Sequence, residues 1–407
     1  MLDRVCFGRV PPKPHIVFAS EAGDRLYEEC ITRSGFEGPY SMLYHRNPPH
    51  HAKPVTTAWT CRASVAERDQ GLLRRHYRCL DLAPQGGGPI EARVPLLFNE
   101  DVRIGFSRPT TAEPTYFANA DGDDLLFILH GSGVLRSAFG DSAFGAGDYV
   151  YVPKGTLHRF VPTPGAPQAW LSLECKAGLG IPARYRNGIG QLRMDAPYSH
   201  RDFRRPEFAG PIDEGIRDVV VKRDDTFYGF RSPHPPLDVV GWDGTVYPFV
   251  FPILAFQPRV GQVHLPPTAH ATFEASGAIV CSFVPRPLDF HTAANPCPFP
   301  HSSVDVDEVL FYANGAFGSR RGVSEGSLSH HPAGIAHGPH PGAYETAPGK
   351  THTDELAVMV DCAKPLRRTR EARAVEDPAY HASFAADWTE VRDRIATVPD
   401  DGRSTPR

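Results

Sequence analysis

Gly147-Asp-Tyr-Val-Tyr-Val-Pro153-Lys-Gly155-Thr-Leu-His158 alternates Tyr and Val, then closes on a Pro-x-Gly turn and a histidine. Alternation with period two belongs to a strand, and proline followed by glycine stops it in a tight turn. The same spacing returns in Gly326-Ser-Leu-Ser-His330-His331-Pro332-Ala-Gly334-Ile-Ala-His337. Both copies have a glycine, five residues, a proline, one residue, a glycine, two residues and a histidine. Such a repeat points to duplication of one β-barrel module. Proline (41) and glycine (37) are abundant and aromatics stand at 10%, which suits short strands and turns better than a helical bundle. The expected fold is all-β: two barrel modules and a C-terminal amphipathic helix.

Working outward, Leu125-Leu-Phe-Ile-Leu129 is an apolar run closed by His130-Gly-Ser-Gly133, a buried strand entering a hairpin. A proline-rich joint, Ser232-Pro-His-Pro-Pro236, lies between the two copies. It sets the expected division into an N-terminal module over 1–235 and a C-terminal module over 236–400, with a disordered tail over 401–407. Asp377-Pro378 reads as a helix start, and Tyr380, Phe384, Trp388, Val391 and Ile395 then share one helical stripe.

Composition excludes several classes. A 407-residue chain with 41% hydrophobic and 22% charged residues buries a sizeable core. The net charge of −4 hides no long basic block; Arg367-Arg-Thr-Arg370 is short and followed by acids, so no nucleic-acid surface is indicated. Eight cysteines without a CxxC pair, no signal-peptide pattern and no transmembrane stretch suggest reduced thiols in a cytoplasmic protein.

The chemistry concentrates near the C-terminus. His301-Ser-Ser-Val-Asp-Val-Asp-Glu308 offers a histidine and a glutamate, and His337 closes the second repeat. Two neutral imidazoles and one carboxylate on one face of iron(II) leave neighbouring positions open for an organic substrate and O2. The alternative is a retained barrel whose histidines are hydrogen-bonded structural groups. In the N-terminal copy His158 is present, but Leu126 falls where the glutamate should be. Ala120 and Gly122, or Asn119 and Asp121, take the histidine positions. One imidazole cannot hold a catalytic metal, so that module is expected to be metal-free, with His158 a satisfied polar residue.

The proline-glycine-histidine pattern resembles the second motif of the cupin superfamily, and His301, Ser303, Glu308 and Gly315 resemble its first, with serine replacing one histidine. More closely, the C-terminal half is similar to homogentisate 1,2-dioxygenases. The landmarks are Val239-Val-Gly-Trp-Asp-Gly244, Tyr247-Pro248, His264-Leu-Pro-Pro267, Phe283-Val-Pro-Arg286 and Gly326-Ser-Leu leading to His337-Gly-Pro339. The resemblance implies iron(II) on His301, Glu308 and His337. It gives His264 as the acceptor of a substrate hydroxyl proton, His331 as a catalytic histidine touching substrate, and Phe317 in the substrate wall. Phe317 stands where better-known members carry a tyrosine that touches the diol.

The implied reaction opens the ring of homogentisate, or a related para-diphenol, with O2 to a maleylacetoacetate-type product in aromatic amino-acid catabolism. A trimer or hexamer is implied as well. Two other readings are a cupin dioxygenase for gentisate or hydroquinone, and a bicupin that binds a metal or small ligand without turnover. Among the remaining residues, His270, His291 or His340 would orient a ligand imidazole, and Arg286 would anchor the turn after Pro285 or meet a substrate carboxylate. His50, His51 and His352 read as surface residues.

Overall fold

The structure, a computed structural model, describes residues 3–56, 59, 62–315 and 317–385. It is all-β, as expected: three seven-stranded sheets, one of four strands and one of two. Strand Asp123–His130 sits inside the central sheet between Asp148–Val152 and Ala169–Cys175. Both of its faces are covered, which explains an apolar run without polar alternation. Leu126 and Ile128 enter a core with Leu135, Phe144 and Phe160 of a facing sheet. Leu125 and Phe127 enter the larger core, where Phe311 packs 6.2 Å from Phe127 and 5.9 Å from Phe106.

Phe311 belongs to the third sheet, which runs in the order Leu179–Gly180, Ala271–Ala275, Ala278–Phe283, Ala357–Cys362, Asp307–Tyr312, Ser327–His331, Arg75–Arg78. One face, through Val309, Phe311, Val358 and Val360, packs on the central sheet. The opposite face carries Glu308, Leu310 and Met359 toward a cavity. Hydrogen bonding crosses the Pro-rich joint in both directions. Arg75–Arg78 pairs with Ser327–His331, while Phe249–Pro252 pairs with Asp148–Val152.

The two repeats fold alike at their turns. Gly155 and Gly334 both take positive φ, 79° and 88°, a region that a side chain would strain. The C-terminal stripe is only partly described. Asp377 accepts the Ala379 N–H at 3.0 Å as an N-cap does, and a short 3-10 turn, Ala382–Ala385, follows. Trp388, Val391 and Ile395 lie outside the described residues. Among the described residues no helix is long and apolar enough to cross a membrane.

Beside the joint, buried His45 links Asp238 Oδ1 at 2.7 Å and Glu29 Oε2 at 3.1 Å. Burial alone would lower its pKa, but these hydrogen bonds and charges raise it to about 9. The unfolded histidine titrates near 6.5, so this stabilisation is complete below about pH 6.5 and is lost as pH rises through 9. Chemical denaturation from pH 6 to pH 10 should show a loss of about 3 kcal/mol that His45→Gln abolishes.

Candidate metal centre

Strand alternation decides which acids reach the cavity. Asp307 turns to the core side, where it accepts from His330 Nε2 at 2.9 Å and from the amides of Ala333 and Leu366. Glu308, one residue on, points the other way. The two histidines come from loops that meet in an isolated antiparallel bridge: His301 N–H to His337 O and His337 N–H to His301 O, each 2.8 Å.

Each ring is aimed by a local contact. His301 Nδ1 lies 3.0 Å from Phe299 O, and His337 Nδ1 lies 3.2 Å from Ile335 O. A carbonyl only accepts, so Nδ1 carries the proton in both rings and Nε2 presents its lone pair. The two Nε2 atoms lie 3.7 and 3.8 Å from Glu308 oxygens. One ligand atom from each of the three residues falls within 4.8 Å of the others. His337 Nε2 is buried with no hydrogen-bond partner among the described residues. An orphaned imidazole nitrogen facing a carboxylate and a second imidazole fits a divalent first-row ion such as iron(II).

Burial alone would raise the Glu308 carboxyl, but the neighbouring imidazoles of His301 and His331, the latter donating its Nδ1–H, with the charge of Arg320, hold it well below its ordinary value. Arg320 Nη2 lies 3.7 Å from Glu308 Oε1, and its side chain is 5% exposed. Asp361 is the direct cross-strand neighbour of Glu308 and lines the same cavity. Burial, then the charge of Glu308, pushes its carboxyl up to about 7. Neither Arg320 nor Asp361 was expected from sequence. Asp361 follows Val-Met-Val in an apolar strand, the one local oddity that marks it.

His301, Ser303, Glu308, His264, His270 and Phe317 all line one cavity of about 580 Å³. His264 stands at the rim, exposed, with its ring 4.9 Å from Phe299. Phe317 packs edge-on to Tyr312 at 4.8 Å. His331 does not fit the expected substrate contact. It is fully buried, with Nδ1 2.8 Å from Glu308 Oε1 and Nε2 3.1 Å from the Tyr380 hydroxyl, so both nitrogens are committed to protein. His270 supports no ligand imidazole; its Nδ1 has no partner among the described residues. Arg286 pairs with Glu355 at 2.5 Å and donates to Val284 O at 3.0 Å, the turn-anchoring arrangement.

In the N-terminal copy the register corrects the expected alignment. Leu126 lies in the apolar core, while Asp124 stands opposite Val152 as Glu308 stands opposite His331, and Phe117 pairs with His158 as His301 pairs with His337. His158 Nδ1 meets Thr156 O at 2.8 Å, but Nε2 is buried without a partner among the described residues, so the histidine is half satisfied rather than satisfied. A second acidic group, Asp121, Glu174 and Asp225, has the spacing to hold a cation. Lys222 Nζ already stands there, at 3.0, 2.5 and 3.5 Å from them.

Comparison with known proteins bears on this geometry. Residues 104–253 match the family model described as homogentisate 1,2-dioxygenase N-terminal. A Saccharolobus solfataricus protein named "Putative dioxygenase SSO1533" is 33% identical over 380 residues, 93% of this chain and 97% of that one. The chain belongs to the homogentisate 1,2-dioxygenase family. Within that family, homogentisate 1,2-dioxygenases of Rhodopseudomonas palustris BisB18 and Sinorhizobium fredii NGR234 are 25% and 27% identical, over 69% and 70% of this chain. The chain spans 64% and 65% of their lengths. Among solved structures, a Bacillus subtilis oxalate decarboxylase variant covers 75% of this chain and 79% of its own at 10% identity, TM-score 0.32. A cupin 2 barrel protein of Leptotrichia buccalis covers 67% and 88% at 8% identity, TM-score 0.31. The resemblance read from the sequence, the all-β fold and membership among dioxygenases stand.

Because Asp361 is raised in the folded state above its unfolded value near 3.9, it destabilises the metal-free protein as pH rises from about 4 to about 7. Asp361→Asn should therefore stabilise the metal-free protein at pH 8 by about 4 kcal/mol in denaturant titration, and by much less at pH 4.

Proposed function

We propose that the protein is an iron(II)-dependent ring-cleaving dioxygenase that opens homogentisate, or a related para-diphenol, to a maleylacetoacetate-type product in aromatic amino-acid catabolism. One observation carries the reading. Two Nε2 lone pairs, fixed by backbone contacts, converge with Glu308, and His301 and Glu308 line a cavity large enough for a small organic ligand. Iron(II) held by His301, Glu308 and His337 would supply a centre with open positions at which diol and O2 meet.

The chain's own residues then bind and orient. Phe283, Leu310, Phe317 and Met359 give the ring an apolar wall. Although His264 is exposed, partial desolvation of its ring beside Phe299 lowers its pKa, so at neutral pH it is an unprotonated imidazole at the rim, able to accept a substrate hydroxyl proton. Arg320 opposes the charge of Glu308 and leaves the pocket receptive to an anionic phenolate. In the balanced reaction one ring C–C bond breaks and both atoms of O2 remain in the product. Phe317 offers no hydroxyl to the diol, which favours a para-diphenol other than homogentisate as the second reading. A cytoplasmic trimer or hexamer completes the proposal.

Protein loaded anaerobically with iron(II) and then mixed with air-saturated buffer should consume one O2 per homogentisate, followed with an oxygen electrode. Uptake with gentisate or hydroquinone alone would move the assignment to that diol. Bound iron without uptake for any diol would make the protein a binding module. Glu308→Gln should lower bound iron and uptake together, by at least about 10²-fold.

A further inference from the structure

Behind Glu308 lies a hydrogen-bonded chain that the proposed reaction does not use. Glu308 and His331 face each other across neighbouring strands, and Tyr380 reaches the far side of the imidazole from the C-terminal segment. All three are buried, and the Tyr380 ring lies nearly parallel to that of His331. An ionised carboxylate only accepts, so His331 Nδ1 must carry the hydrogen. Nε2 then has only a lone pair, and the Tyr380 hydroxyl must donate to it. One arrangement satisfies all three groups.

The segment bearing Tyr380 is itself fastened. Glu376 Oε1 meets Arg75 at 2.5 Å, Asp377 meets Arg78 at 2.9 Å, and Ser383 Oγ meets His340 Nε2 at 2.8 Å. The guanidinium of Arg74 lies 4.8 Å from the centre of the Phe384 ring.

This leaves the two oxygens of Glu308 unequal. Oε1 is held by the His331 Nδ1–H at 2.8 Å, with Arg320 Nη2 at 3.7 Å and His337 Nε2 at 3.8 Å beyond, whereas Oε2 accepts from no donor that close and faces only His301 Nε2 at 3.7 Å. A carboxylate with both oxygens free can chelate a metal; one whose first oxygen is held by a donor offers the second. We propose that Tyr380 is a positioning residue which, by fixing the tautomer and angle of His331, restricts Glu308 to one-oxygen ligation and keeps a metal position free for a substrate oxygen. The inference rests on the three-residue metal reading.

Cobalt(II) tests it without turnover, because its visible absorption weakens as the coordination number rises. Wild type should bind one cobalt(II) per chain; no binding at this site would sink the metal reading itself. In Tyr380→Phe, cobalt(II) should still bind, but with a weaker visible band and about tenfold weaker affinity for the diol, measured by titration of the cobalt protein. A Tyr380→Phe spectrum and diol affinity identical to wild type would overturn the proposal and leave Tyr380 a packing residue. His331→Leu removes the donor to Glu308 and serves where Tyr380→Phe does not fold. It should give the same spectral change, and an unchanged spectrum there also overturns the proposal.

Discussion

Two backbone hydrogen bonds between His301 and His337 hold together residues that arrive on separate loops. Each is worth only about 1 kcal/mol net, so their importance is geometric. They bring the imidazole centres to 4.4 Å, and the carbonyls of Phe299 and Ile335 then set which nitrogen of each ring faces Glu308. Ring position and tautomer are thus decided by main chain before any ligand enters. A site built this way loses little side-chain freedom on binding. The glutamate needs a different device because its side chain is longer and looser. It stands on the middle of a sheet, with His331 across the ladder and Arg320 behind.

The two repeats show how the same turn can serve opposite ends. His158 and His337 both place Nδ1 on the carbonyl two residues back, and both leave Nε2 buried without a partner among the described residues. Around His337 stand Glu308 and His301. Around His158 the rings of Phe117 and Phe160 close in edge-on, Phe117 pairing with His158 as His301 pairs with His337. Asp124, opposite Val152 as Glu308 is opposite His331, is paired with Arg93 at 2.9 Å. The buried carboxylate Glu174 is neutralised by a cation from within the chain, since Lys222 Nζ sits between it and Asp121. A covalently attached ammonium cannot dissociate, so the charge of this acidic group is offset from within the chain.

The parts of the molecule legible in the sequence are those governed by local rules. Pro-x-Gly turns with positive-φ glycines, strand alternation and the run Leu125–Leu129 are short-range signals, and they located both repeats and His337, while His264 entered only through the family resemblance. Arg320, Asp361 and Tyr380 were not legible for one shared reason. Each reaches Glu308 through a pairing or loop path set by distant chain. Asp361 is beside Glu308 because of the register between Ala357–Cys362 and Asp307–Tyr312. Tyr380 matched a helical stripe, yet it meets His331 from a turn. The His331 reading failed for a related reason: sequence placed it near the site, but only the strand register shows that both nitrogens are taken. Edge strands carry no sequence mark of the sheet they join, so the exchange of Arg75–Arg78 and Phe249–Pro252 across the joint was hidden too.

Charge explains why such a site would select its substrate. Glu308 is ionised, the imidazoles of His331 and His337 are held neutral by burial, and Arg320 stands 3.7 Å from Glu308. A dication placed among His301, Glu308 and His337 would meet one negative charge already shared with a guanidinium. The remaining positive charge lies against a cavity whose walls near the sheet are Phe283, Leu310, Phe317 and Met359. In such surroundings the uncompensated charge falls steeply in energy when an anionic oxygen enters. An aromatic hydroxyl that gives up its proton supplies that oxygen and an apolar ring for the wall. An aliphatic alcohol, far less acidic, supplies neither. Asp361 sets the limit of this preference, because once ionised it adds a competing negative charge beside Glu308. The same burial keeps it protonated up to about pH 7 in the metal-free protein, so below that pH it adds no negative charge beside Glu308.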